Sequence, residues 1–313
     1  MARLRIVTLG LIALFAAACG PGGGGASPSA AAPSQAASQA AVVTAEPTED
    51  QCTAANLQTL TAGTLTVSTD NPAYPPYYIP EDTKPAGSDW ELGEPTNGKG
   101  LESATAYAIA DWLGYTKEQV KWVVSAGFNA TVAPGDKPFD IYLTQVSDSS
   151  ERRTAVDLTE GYFDLSQAVI AVKGTPIAAV TTVAGLKEFK LGAQVGTTSY
   201  QYIVDQIAPT TDPSVYDTND AAVSALQAGQ IDGIVADLPT GFYMRDAQLD
   251  DGVIVGSLPT AAGADVEHFS VLLAKDSPLT SCINAAIEAL KQDGTLEVIR
   301  DEWIGGQGAP ELQ

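Results

Sequence analysis

Between residues 64 and 303 the chain alternates short apolar runs with helix-patterned segments, each punctuated by glycine, proline or a capping residue. That alternation predicts an α/β fold, because strands joined by helices stack in layers around a sheet. Thr64 to Ser68 alternates as a strand and leads into a proline-rich loop, Asn71 to Pro80. The polar insert from Glu81 to Gly100 carries Pro and Gly and reads as a surface loop. Leu101 to Leu113 is amphipathic, with Leu101, Ile109, Trp112 and Leu113 as core candidates and Gly114 as its stop. Val120 to Val124, Phe139 to Leu143 and Ala168 to Val172 read as strands. The same grammar continues with a strand over Leu191 to Val195 and a helix from Gly196 to about Ile207. A helix capped by Asn219 then runs to Gln227 and stops at Gly229, before an apolar strand from Ile231 to Ala236. Ser277 to Trp303 reads as two helices broken near Gly294, with Ser277 as cap and Pro278 at the first helical position. There is no internal repeat.

The residues ahead of this region belong to export. Arg3 and Arg5 precede an apolar stretch, Ile6 to Ala17, that is too short to span a bilayer as a helix. Ala16-Ala17-Ala18-Cys19 resembles the lipobox of bacterial lipoprotein signals, which implies cleavage after residue 18 and lipid on Cys19. Residues 19–50 are rich in Gly, Ala, Ser and Pro and lack the large apolar side chains that offset chain-ordering entropy, so they are expected to be a spacer. The formal charge is −22, and removal of Arg3 and Arg5 makes it −22 − 2 = −24. With no basic stretch to interrupt that acidity, nucleic acid is excluded as a partner. The cysteines left after lipidation, Cys52 and Cys282, form an even pair in an oxidising compartment, where a disulfide is favoured over two free thiols. It would close a loop of 282 − 52 = 230 residues. The sole histidine, His268, has no ligand cluster around it, so no zinc site is expected, and it reads as a polar residue leading into a strand.

Four segments in order, "GTLTVSTDNPAYPPYY", "DSSERRTAVDLTEGYF", "LGAQVGTTSY" and "LQAGQIDGIVADLPTG", resemble the solute-binding proteins of amino-acid ABC importers, with a periplasmic-binding-protein type II fold. The resemblance runs from about Leu57 to Ile304. It implies two α/β lobes joined by hinge strands, with ligand in the cleft between them. Residues 51–164 are expected to begin the first lobe, 165–258 to form an inserted second lobe, and 259–313 to complete the first. Such lobes close on their ligand. A monomer without cofactor is expected, delivering a free amino acid to an ABC permease.

A free amino acid presents a carboxylate and an ammonium, and a site that desolvates both must pair both. Arg152 matches the family's carboxylate-binding arginine, whose guanidinium grips a carboxylate through two parallel bonds. Asp237, at the carboxyl end of a strand, matches the partner of the ammonium. Thr198, after Gly196-Thr197 at a helix start, is placed to meet an anion. Thr144 and Ser147 add hydroxyl or backbone bonds, Gln145 a polar contact. Tyr74 and Phe128 match the aromatic walls, and Asp70 an acid that meets polar side chains. The chain departs from the family's pattern at Asp148 and Ser150, where an apolar residue and a proline are usual. Together these residues imply a polar ligand, an amide or a cation. The fold also hosts dehydratases of cyclic amino or keto acids, which need a general acid or base in the cleft, and His268 lies near the expected return hinge. A ligand-sensing role beside a membrane signalling protein would use the same site. No Gly-x-Ser-x-Gly elbow, Cys-His pair or metal cluster accompanies the motifs.

Overall fold

In the computed structural model, which describes Pro47 and residues 51–313, Leu65 and Val67 of β1 (Leu65–Thr69) are fully buried and the strand lies inside a sheet. The signal, Cys19 and nearly all of the 19–50 spacer lie outside the described residues. α1 (Leu101–Trp112) starts after Gly100. There φ is +101°, and an added Cβ would fall 2.4 Å from the Tyr77 carbonyl oxygen, so only glycine fits. The chain continues through β2 (Val120–Val124), α2 (Phe128–Val132), β3 (Ile141–Tyr142), β4 (Asp157–Asp164) and β5 (Gln167–Val172). Next come β6 (Leu191–Gln194), α3 (Thr198–Tyr202), β7 (Ser214–Tyr216), α4 (Asn219–Gln227), β8 (Gly233–Asp237), α5 (Leu238–Tyr243) and β9 (Gly252–Ser257). β10 (His268–Leu273), α6 (Thr280–Gln292) and α7 (Thr295–Trp303) complete the order.

The strands form two sheets, ordered β2-β1-β3-β10-β4 and β7-β6-β8-β5-β9, one in each of two lobes, as the resemblance implies. In the second sheet Ala168 and Ile170 of β5 pack into one apolar cluster, while Val169 and Ala171 pack into another. Successive strand residues point to opposite faces, so a sheet covered on both sides needs a continuous apolar run. In the first lobe α1, α6 and α7 bury their apolar faces against Tyr77, Tyr78 and Phe269 in one core. Cys52 and Cys282 are bonded to each other, fastening the start of the folded chain to α6.

Several local expectations are corrected. The strand placed over 139–143 pairs only at Ile141–Tyr142, although Asp140 N and Leu143 N still donate to Thr66 O and Ser68 O. Thr218, not Asn219, caps α4, its side chain accepting from Ala221 N. Ser277-Pro278 lies in a turn before α6, with Ser277 Oγ accepting from Leu279 N. The helix after Gly196 begins at Thr198 and widens into a π-helical turn over Ile203–Ile207. The insert 81–100 is largely exposed, as expected of a surface loop, and is pinned to the first lobe. Ala73 N donates to Glu91 O and Gly93 N to Ala73 O, and Glu94 is 4 % exposed.

The chain passes from β4 into β5 at Leu165, whose N–H donates to Glu267 O, and returns to the first lobe through Leu258, whose N–H donates to Gln167 O. It then crosses a third time, so residues 259–313 do not all complete the first lobe. After α7 the tail turns back to the edge of β9, where Ser257 N donates to Pro310 O and Leu312 N to Ser257 O. An outer strand left with unpaired backbone groups favours this docking. Leu312 is 2 % exposed and sits where Gly256 leaves room, an added Cβ there falling 2.7 Å from Leu312 Cγ. Leu312→Ala is expected to lower stability by about 2 kcal/mol, the low end for a buried leucine because a terminus can relax. Thermal melting checks it.

Candidate functional site

Every residue assigned to the ligand by sequence lines one cavity of about 570 Å³ between the lobes. Strand ends put them there. Asp70 follows β1, Thr144 and Gln145 follow β3, and Asp237 ends β8, the carboxyl-terminal positions where open α/β sheets expose side chains to a crevice.

Arg152 is held at both ends of its guanidinium by backbone. Nη1 donates to Ser147 O at 2.6 Å and Nη2 to Gly196 O at 2.9 Å, the second bond crossing between lobes. Its Cζ lies 5.1 Å from the centre of the Phe128 ring, so Phe128 is a platform for the cation as well as a wall. Burial lowers the guanidinium from its usual value while Asp237 and Glu267 oppose the shift, and the group stays charged. The neighbouring Arg153 turns away to Asp148, at 2.6 Å, and to Leu158 O. Asp148, where the family has an apolar residue, therefore has a structural partner.

Asp237 accepts from Gln167 Nε2 at 2.7 Å. Burial pushes its carboxyl up to about 7, with repulsion from Glu267 adding and Gln167 and Arg152 opposing. Behind the cavity Glu102 is fully buried and accepts from Tyr162 OH at 2.6 Å and from Gln145 N and Nε2 at 2.5 Å each. Burial raises it to about 7 as well, against those bonds. Gln145 adopts φ +47° and gives one amide N–H to Glu102 while the residue borders the cavity. Carboxyls raised above their ordinary 3.8 and 4.5 favour the fold most in acid, and that contribution is lost as pH rises through about 7. The ligand-free protein is thus expected to lose stability between about pH 4 and pH 7, with a shallower loss in Asp237→Asn, read by melting across that range.

Asp70 accepts from Tyr142 OH at 2.8 Å and from Ser125 Oγ. The Thr144 hydroxyl accepts from Asp70 N at 3.3 Å and meets Thr69 Oγ1 at 2.8 Å. Thr198 Oγ1 lies 3.4 Å from Ser147 Oγ across the cleft.

Contacts absent from the sequence reading hold the lobes together. Tyr74 OH donates to Asp220 Oδ2 at 2.6 Å, its ring 5.9 Å edge-on from that of Tyr243, and Tyr77 OH pairs with Thr240 Oγ1 at 2.9 Å. Gly196 has φ +73°, and a Cβ there would fall 2.6 Å from Asn129 Oδ1 of the opposite lobe. Asp220 and Thr240 stood in quoted motifs or beside a capping residue, but nothing in their spacing marks them as facing the other lobe. His268 does not line the cavity. Its ring packs on Gly161, with Nε2 3.7 Å from Asp148.

Two lobes of this topology, closed over an arginine and an aspartate, match one family model. Bacterial extracellular solute-binding proteins, family 3, aligns with residues 65–306. The chain belongs to that family. Its relatives include the L-arginine-binding protein of Pseudomonas aeruginosa, 28% identical over 238 residues, covering 74% of this chain and 85% of that one. The ABC transporter glutamine-binding protein GlnH of Bacillus subtilis is 28% identical over 218 residues, covering 68% and 76%. Among solved structures, an ancestral arginine-binding protein bound to arginine superposes with a TM-score of 0.60 at 28% identity, covering 78% of this chain and 99% of that one. By name these relatives bind amino acids, and GlnH is the binding protein of an ABC transporter. Residues 307–313, which include the docked tail, lie beyond the family match. Among the described residues no helix is long and apolar enough to cross a membrane, and no cluster suits a metal ion.

Proposed function

We propose that this chain is the lipid-anchored receptor of an amino-acid ABC importer, and that its ligand is a free amino acid with a cationic side chain. Arg152 takes the α-carboxylate and Asp237 the α-ammonium. The observation that carries the ligand class is the charge of the lining. Asp70, Asp217, Asp220 and Asp237 border the cavity, and Arg152 is the one basic residue there among the described residues. Once Arg152 and Asp237 are spent on the backbone groups of the ligand, carboxylates remain for its side chain. An anionic side chain would face them without a partner, whereas a guanidinium or ammonium would be paired, with Tyr74 and Phe128 to cover its stem. The similarity to arginine-binding proteins supports the same choice. The lipobox-like Cys19 supports anchoring, and membership of the family supports delivery to a permease.

Thermal shift of the purified protein against the twenty common amino acids tests this reading. A cationic amino acid at a hundred times its dissociation constant should add about 2.7 kcal/mol. Stabilisation by glutamate alone would refute the ligand class, and no stabilisation by any amino acid would refute the receptor. Anchoring is tested by labelled fatty acid, which should enter the wild-type chain and not Cys19→Ala.

A further inference from the structure

We infer that Gln167 is the positioning residue of this site: its amide aims Asp237 and ties that carboxylate to Glu267 at the return crossing, so ligand capture follows the charge state of Asp237. This rests on the reading of Asp237 as partner of the ligand's ammonium. Gln167 is the first residue of β5, is 2 % exposed, and lies opposite Asp237 in the β5–β8 register. It does not line the cavity and so acts through Asp237.

Both of its amide protons and one lone pair of its oxygen are engaged. Nε2 donates to Asp237 Oδ1 at 2.7 Å and to Glu267 Oε2 at 2.9 Å, while Oε1 accepts from Ser199 Oγ at 2.6 Å. The chemistry fixes the orientation, since flipping the amide would set its oxygen against two carboxylates. Three segments therefore meet at one side chain: β8, the start of α3, and the stretch leading into β10. Two of them belong to the second lobe and one leads back to the first. The pair is also short of donors, because Glu267 Oε1 is buried with no hydrogen-bond partner. The other charged or titratable groups facing Asp237 are Arg152, Glu102 on α1 and the Tyr77 phenol.

An ammonium needs an ionised carboxylate, so affinity should rise with pH through the Asp237 titration. A donor to the carboxylate favours its charged form and a neighbouring carboxylate disfavours it. Gln167→Met removes the donor and should move the Asp237 midpoint up by about one pH unit, weakening binding about tenfold below it. Glu267→Gln keeps an acceptor for Gln167, removes the like charge, and should move the midpoint down by a similar amount. A purely structural role would not produce opposite displacements.

The experiment is a carboxyl-carbon NMR titration of ligand-free protein, with the Asp237 signal assigned by its loss in Asp237→Asn, beside calorimetric titration with L-arginine at each pH. Opposite displacements in the two variants support the inference. Unmoved midpoints, or displacement in one common direction, overturn it. If Gln167→Met does not fold, Gln167→Glu takes its place, and the added carboxylate should again move the midpoint up. If wild-type protein ignores L-arginine, the proposed ligand class fails, while the NMR titration still decides the role of Gln167.

Discussion

Replacing Arg152 with alanine will weaken amino-acid binding by about 30-fold to several thousand-fold, because truncating one partner of a desolvated charge pair costs about 2–5 kcal/mol. The guanidinium already has its fork aimed by Ser147 O and Gly196 O, with Phe128 beneath it. Little ordering is left for the ligand's carboxylate to cost, which is why the arginine is worth so much at this position. Arg152→Lys should fall between the two, since an ammonium keeps the charge and loses the paired geometry. The cores of both lobes are built from other residues, so the melting point of the ligand-free variant should change little. Calorimetric titration settles the matter. An unchanged dissociation constant in Arg152→Ala would mean that the carboxylate is bound elsewhere.

Converting Cys52 and Cys282 to serine will destabilise the fold by up to about 5 kcal/mol, the chain-entropy figure for a long loop. The bond spans a sequence separation of 230 residues. It joins a fully buried Cys52 to α6 within the first lobe, so it restrains the unfolded chain without bridging the cleft. The expected result is a lower denaturation midpoint, with ligand affinity near wild type in the fraction that stays folded. Equal midpoints for the oxidised and serine forms would show that the bridge contributes nothing to stability.

The parts of the site legible in the sequence are those that a strand end or a motif delivers locally. Arg152 and Asp237 were named from their segments, and both border the cavity. What was not legible depends on a partner far away in the chain. Tyr74 and Asp220 are 146 residues apart and meet only because the lobes close, and Gln167 meets Glu267 across 100 residues at the crossings. Gln145 borders the cavity, but only the fold shows that a buried Glu102 on another element takes an N–H of its amide. The tail was missed for a similar reason. Residues 307–313 carry no periodicity, and their docking depends on an open strand edge that Gly256 keeps free of a side chain.

By itself the sequence determined the layered α/β class and the residues available to a zwitterion, because apolar alternation and side-chain chemistry are local properties. Only the tertiary structure decided where Arg153 turns instead, which carboxylates surround Arg152, and how often the chain crosses between lobes. Those outcomes depend on burial and on the direction of side chains brought together from distant segments, and no local pattern encodes them.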